Sequence, residues 1–182
     1  MKRVDNSIYR VEINIGAGRG KQLLWYLTSI LFFKNTLNIF SGLKVSLLKL
    51  FGAHVGKGVV IKPGVNIKYP WKLRIGNYSW IGEYVWIDNL SEVTIGKNVT
   101  LSQGAFLMTG SHDHTKDSFD YISIPIVLED GVWIGAQAIV SGGVTCHTHS
   151  ILGMNSVAEN NLKQYTIYKG NPSIPVVERI IN

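Results

Sequence analysis

Two histidines lie in the one stretch of this chain that interrupts an otherwise regular pattern, Ser111-His112-Asp113-His114-Thr115-Lys116-Asp117-Ser118-Phe119-Asp120-Tyr121. An imidazole with an ordinary pKa near ~6.5 exchanges a proton close to neutral pH, and its neutral form also ligates metals. With His54, His147 and His149 the chain has enough imidazoles for a tetrahedral zinc site with an open position. The single cysteine, Cys146, is the other reactive side chain, and its place at the head of a repeat marks it as a small core hydrophobe.

The elements that must hold these groups follow a beat of six residues. Each unit leads with an aliphatic residue, usually followed by a small one, with another small or aliphatic residue four places on. Val55-Gly56-Lys57-Gly58-Val59-Val60, Ile75-Gly76-Asn77-Tyr78-Ser79-Trp80, Ile81-Gly82-Glu83-Tyr84-Val85-Trp86 and Ile95-Gly96-Lys97-Asn98-Val99-Thr100 set it. Ile134-Gly135-Ala136-Gln137-Ala138-Ile139 and Leu152-Gly153-Met154-Asn155-Ser156-Val157 resume it after the break. Six is neither the helical period nor the simple strand period, but it is the hexapeptide signature of a parallel β-helix. If three hexads close one triangular turn, the lead residues stack into buried columns and the following glycine occupies a corner whose φ disfavours a side chain. The spacing leaves the hand of the helix open.

The chain divides into an extended and helical appendage (1–52), the β-helix (53–172, with a loop excursion at about 110–125) and a C-terminal tail (173–182). Residues 1–20 read as polar and extended, and 21–51 as helical. The run from Leu23 to Phe33 is short of the roughly 20 apolar residues of a membrane span. Packing on the first coil or on a neighbouring subunit is one reading of these helices. The other is peripheral membrane contact through Trp25, Tyr26, Phe32 and Phe33 with Lys21, Lys34, Lys44 and Lys49. The net charge of +6 points to acidic partners such as phosphate groups, and the scattered basic residues carry no nucleic-acid motif. One cysteine excludes an internal disulfide, no cleavable signal peptide is evident, and the expected address is cytoplasmic.

The hexads, the histidine loop, the passage Ile126-Val127-Leu128-Glu129-Asp130-Gly131-Val132-Trp133-Ile134-Gly135-Ala136 and the closing Tyr165-Thr166-Ile167-Tyr168-Lys169-Gly170-Asn171-Pro172 resemble the left-handed β-helix acyltransferases that use acetyl-CoA. Tyr69-Pro70-Trp71-Lys72-Leu73, Trp86-Ile87-Asp88-Asn89-Leu90 and Thr109-Gly110-Ser111-His112-Asp113, after an apolar helical segment, resemble the colanic-acid-biosynthesis type more narrowly. The resemblance implies an all-β, left-handed parallel β-helix assembled as a homotrimer, with acetyl-CoA as donor and no metal. It maps the general base onto His112. Asp113, Asp88 and Glu83 are the candidate carboxylates to fix its tautomer, a carbonyl being the alternative. Asn89 or backbone N–H groups are the candidate donors to a developing oxyanion.

The resemblance also implies a donor groove between subunits near Trp133, Gly135, Ala136, Met154, Asn171 and Pro172. Two departures stand out. Glu159-Asn160-Asn161 replaces a Thr-Lys-Asp found in many relatives, and Ser173-Ile174 follows Asn-Pro where a Lys and an Arg commonly stand, leaving Arg179, with Lys163 or Lys169, to meet phosphate. The expected function is O-acetyl transfer to a sugar hydroxyl in exopolysaccharide or other surface-glycan synthesis. The alternatives are a catalytically silent scaffold of the same fold and a γ-carbonic-anhydrase-like zinc enzyme. Trp71, Trp80 and Trp86 are candidates for a sugar-stacking platform or for subunit packing.

Overall fold

The structure, a computed structural model, describes residues 3–10 and 13–182. Its body is a parallel β-helix with three faces. The first stacks strands 54–55, 73–75, 93–95, 126–128 and 145–146. The second stacks 60–61, 80–81, 100–101, 133–134, 151–152 and 166–169, and the third stacks 66–67, 86–88, 106–108, 139–141 and 157–158. Every pairing among these strands is parallel.

The lead residues of the hexads point inward as the period requires. Ile61, Ile81, Leu101, Ile134 and Leu152 form one column, Ile67, Ile87, Leu107, Val140 and Ala158 a second, and Ile75, Ile95, Leu128 and Cys146 a third, all with at most 3% of their surface exposed. Burial pushes the Cys146 thiol up to about 12, as expected of an inert core residue. No coil can bury its own column, so the stack must be built by neighbours.

The glycine after each lead residue is required for a different reason from the one the spacing implies. Gly76 does not adopt a positive φ; a Cβ there would stand 2.5 Å from the carbonyl carbon and oxygen of Gly96 in the next coil. The left-handed conformation falls two residues later in the corner, at Tyr78 (φ 59), Asn98 (φ 54) and Asn155 (φ 58). The beat therefore encodes a close approach between coils followed by a left-handed residue.

The turn length also departs from three hexads. Val60 pairs with Trp80 and Trp80 with Thr100, an offset of 20 residues, whereas Trp133 pairs with Ile151, an offset of 18. The extra residues all fall at the corner that follows the third face: Pro70–Lys72 makes a 3-10 turn there, the next coil carries Asn89-Leu90-Ser91-Glu92, and the third carries the histidine excursion. That excursion is an antiparallel hairpin of 110–112 on 121–123. The C-terminal tail is likewise structured, with 174–178 running antiparallel to 166–169.

The appendage consists of α1 (Arg19–Thr28), a π turn (Ser29–Phe33) and α2 (Ser41–Leu50), which cap the first coil. Trp25 and Phe33 are buried with ring centroids 5.1 Å apart, and the Trp25 indole N–H donates to the Ile67 carbonyl at 3.0 Å. Lys44 has no exposed surface and its ammonium donates to the Lys62 carbonyl at 2.9 Å. Burial, then the nearby Lys62 charge, holds its pKa below the usual lysine value. Trp25, Phe33 and Lys44 are thus core residues, not the membrane contacts the sequence nominated.

Replacement of Gly76 by Ala forces two backbones apart and should cost about 1–3 kcal/mol, whereas Asn98→Gly relieves a left-handed residue and should change stability by less than ~1 kcal/mol. Chaotrope melts of the two variants check the ranking. Equal midpoints would show that the lead-plus-one glycine is not set by coil-to-coil contact.

Candidate functional site

The histidine hairpin owes its position to a chain of polar contacts at its root. Thr109, buried, donates through its hydroxyl to the Asp88 carbonyl at 2.8 Å, so the strand 106–108 leaves the third face tied to the coil beneath. Gly110 follows because the Tyr121 hydroxyl from the return strand lies over it; a Cβ there would come within 1.6 Å of that oxygen. His112 pairs in register with Tyr121.

The half-buried His112 ring is held on three sides. Phe119 stacks flat against it (centroids 4.4 Å, 6° between planes), Tyr121 meets it edge-on at 5.0 Å, and Tyr9 from the N-terminal segment lies tilted at 5.7 Å. Its Nδ1 is 3.0 Å from the Phe119 carbonyl oxygen. A carbonyl only accepts, so Nδ1 carries the proton of the neutral ring and Nε2 presents a lone pair. This is the arrangement a general base needs.

None of the three nominated carboxylates orients the ring. Asp113 Oδ1 accepts from the Thr115 hydroxyl at 2.6 Å and its amide at 3.1 Å, an Asx turn that shapes the loop. The Thr115 hydroxyl first and its amide next hold the Asp113 carboxyl below the usual range. Asp88 pairs with Lys68 at 2.8 Å, and Glu83, on the corner before the third face, pairs with Lys62 at 3.3 Å. Asn89 is fully buried and spends its carboxamide on Tyr69, accepting from its N–H at 3.0 Å and donating to its carbonyl at 2.6 Å. It closes a long corner.

Phe119, Tyr121 and Tyr9 were not singled out from the sequence. The signal that could have found the first two is the aromatic pair closing the excursion, since a ring held flat by another ring is a common way to fix an imidazole. Burial first, then the charges at Asp88, Tyr9 and Tyr69, raises the pKa of the Tyr121 phenol, which therefore stays protonated near neutrality.

A second region lies at the corner between the second and third faces. There a largely apolar cavity of about 650 Å³ is lined by Trp133, Gly135, Ala136, Met154 and Lys169 among others, bringing together four of the residues nominated for the donor groove. The Trp133 indole donates to the Ser102 hydroxyl at 2.9 Å, and Met154 is 77% exposed at the rim. Asn171 and Pro172, both exposed, directly follow Gly170 of the lining. Arg179 is elsewhere engaged: its Nη1 donates to the Gly131 and His149 carbonyls at 2.9 and 3.0 Å, pinning the C-terminal strand. The cation in the cavity wall is Lys169.

A third opening of about 440 Å³ separates α1 from the third face and is lined by Tyr26, Asn66, Lys68, Tyr69, Trp86 and Asp88 among others. Of the three nominated tryptophans only Trp86, stacked on Phe106 at 4.6 Å, faces it. Trp71 donates to the Ile15 carbonyl at 2.7 Å, and Trp80, on the second face, lies under the Lys62 ammonium.

The histidines do not converge. His147 Nδ1 lies 3.1 Å from Glu129, and His149 stacks on Tyr165 at 4.9 Å. Among the described residues no three His, Cys, Asp or Glu side chains are arranged to hold a metal ion.

No protein-family model matches the chain. The chain is 36% identical over 165 residues, covering 91% of each, to WcaF of Escherichia coli (strain K12), a protein named for acetyl transfer in colanic acid biosynthesis. Among solved structures it superposes on a hexapeptide-repeat acetyltransferase of Vibrio cholerae complexed with acetyl-coenzyme A (TM-score 0.77, 23% identity, 90% of this chain and 87% of that one). It superposes also on a galactoside acetyltransferase in complex with coenzyme A (TM-score 0.75, 23% identity, 87% and 80%). With the six-residue beat realised as a parallel β-helix and a relative matched over 91% of both chains at that identity, the chain belongs to the hexapeptide-repeat acetyltransferases.

Proposed function

We propose that the chain is an acetyl-CoA-dependent O-acetyltransferase acting on a sugar hydroxyl in the synthesis of an exopolysaccharide or other surface glycan, with His112 as general base. The observation that carries the reading is the Nδ1 contact to the Phe119 carbonyl, which in the neutral ring puts the lone pair on Nε2, together with the aromatic walls that hold the ring. A sugar hydroxyl is too weak an acid to attack unaided, and a base so held typically contributes about 10² to 10⁴ in rate.

When bound, acetyl-CoA supplies the acetyl group as an activated thioester. Nε2 of His112 takes the acceptor hydroxyl proton as the new oxygen–carbon bond forms, and returns it to the sulfur as the carbon–sulfur bond breaks. The cavity fits the donor in chemistry: apolar walls at Trp133, Ala136 and Met154 suit the arm, Gly135 and Gly170 leave backbone exposed to it, and Lys169 suits phosphate. The 440 Å³ opening suits the acceptor, with Trp86 and Tyr69 as aromatic faces and Asn66 and Asp88 as hydrogen-bonding groups. Asp88 is also the residue whose carbonyl anchors the root of the His112 hairpin.

The homotrimer belongs to the same reading. The donor cavity lies before the third face and His112 after it, so within one chain a whole face from Gln103 to Thr109 intervenes, roughly 20 Å of extended chain. A neighbour's histidine meets the cavity when third and second faces pack in a closed ring. The outward ladders favour those faces: beside Thr100 and Asn66, Trp80, Trp133 and Ile151 on the second and Trp86, Phe106, Ile139 and Val157 on the third are apolar, whereas the first shows His54, Arg74, Thr94 and Thr145 beside Val127. The expected address is the cytoplasm, at the inner face of the membrane.

His112→Ala should lower turnover about 10²- to 10⁴-fold with an unchanged melting temperature, read as thiol release with a panel of sugar acceptors. Near-normal turnover would overturn the assignment. Lys169→Ala should raise the apparent donor Kd roughly tenfold, as expected for loss of one charge-assisted contact, while Arg179→Ala should act on stability instead. Isothermal titration with coenzyme A separates the two, and unaltered affinity in the Lys169 variant would assign the phosphate to another residue.

A further inference from the structure

We infer that the N-terminal appendage is a docking surface for an anionic lipid monolayer, presented by the outer side of α1 and the α1–α2 connection. The inference is independent of which sugar the enzyme acetylates. Apart from Thr28 and Ser29 the helical segment from Leu23 to Phe33 is apolar or aromatic, and a segment of that kind is ordinarily covered on every side. Here Trp25, Ser29 and Phe33 bury one side of α1 and its π turn against the first coil, and Leu27, Ile30 and Leu31 on the opposite side are 41–59% exposed. The connection adds Leu37, Ile39 and Phe40, at 86%, 69% and 69% exposure. These residues lie off the stacked faces that the trimer reading covers.

The charge around this surface selects the occupant. From residue 13 to residue 52 the sequence contains no Asp or Glu, against Arg19, Lys21, Lys34, Lys44 and Lys49. Lys44 is buried and the Lys21 ammonium lies over the Trp71 ring at 4.8 Å, but Arg19, Lys34 and Lys49 are exposed, and no ion pair is formed by them among the described residues. Exposed leucines flanked by uncompensated cations match an interface in which acyl chains lie below a negatively charged headgroup layer. No helix among the described residues is long and apolar enough to cross a membrane, so the contact is with one leaflet. A second copy of the chain would set these cations against identical cations, which disfavours a self-association face.

The test is co-sedimentation of the full chain with phosphatidylcholine vesicles containing about a quarter phosphatidylglycerol, at low and high salt. The wild type should pellet with the anionic vesicles at least ~10-fold more than with pure phosphatidylcholine, and high salt should weaken binding. Leu27→Glu combined with Ile39→Glu, both at exposed positions, should abolish pelleting while the melting temperature, the light-scattering mass and acetyl transfer to a soluble sugar stay as in the wild type. Pelleting that ignores the anionic lipid, or survives the double substitution, overturns the inference. A fall in mass in the double variant also overturns it and makes the face a contact between copies. Loss of transfer activity by His112→Ala with vesicle binding intact leaves the docking inference standing alone.

Discussion

The constraint on which this structure depends is the spacing between coils. Backbone N–H groups donate to carbonyls one turn away along the stack, as in Gly76 N–H to Ile95 O at 2.7 Å and Gly135 N–H to Leu152 O at 2.7 Å. Those bonds hold the coils about 4.8 Å apart along the axis. At the position after the lead residue the same spacing leaves no room for a Cβ, as at Gly76, Gly96 and Gly135, and inside the prism it leaves room for stacked columns of aliphatic side chains. Cavity, hairpin and appendage are all departures permitted where this stacking is satisfied first.

The long corner shows how. Insertions on a faces-and-corners scaffold must leave through a corner without breaking the ladder, and three successive coils use the same one. Pro70 and Trp71 open it, Asn89 seals it by bonding both backbone groups of Tyr69, and Thr109 locks the third coil to Asp88. The histidine hairpin stands on a stack of widened corners. The Asp88 carbonyl and the Asn89 carboxamide, adjacent to the histidine loop in space, are therefore engaged in holding the corner.

The β-helix was legible because its signal is one-dimensional: a column of Ile, Leu and Val must recur at fixed spacing, and the sequence displays it from Val55 to Val157. The cause of the glycines was not, since a close approach across coils and a positive φ both favour Gly, and only the positive φ of Tyr78 and Asn98 tells them apart. His112 is one of two imidazoles in the one interruption, and the family resemblance nominated it. Its partner was not legible, because a backbone carbonyl such as that of Phe119 leaves no residue-type signature, whereas carboxylates advertise themselves. Arg179 and Lys169 illustrate the same limit. Both are cations near the C-terminus, and only the antiparallel return of 174–178 decides that one pins the strand and the other faces the cavity.

The two lysines of the appendage that read alike, Lys44 and Lys49, carry the point into energetics. Helix α2 buries Lys44 and Leu48 and exposes Lys49 and Leu50. Burying an ammonium is costly unless it is bonded, and Lys44 is bonded only because the corner at Lys62 offers a carbonyl outside the ladder. The helix is thereby fixed in rotation on the first coil. With α2 so fixed and α1 anchored through Trp25 to Ile67, the leucines of the far side cannot turn inward to escape water. The exposure of Leu27, Ile30 and Leu31 is therefore imposed by the same polar anchors that cap the prism, and a surface held apolar in this way stays exposed until something outside the chain covers it.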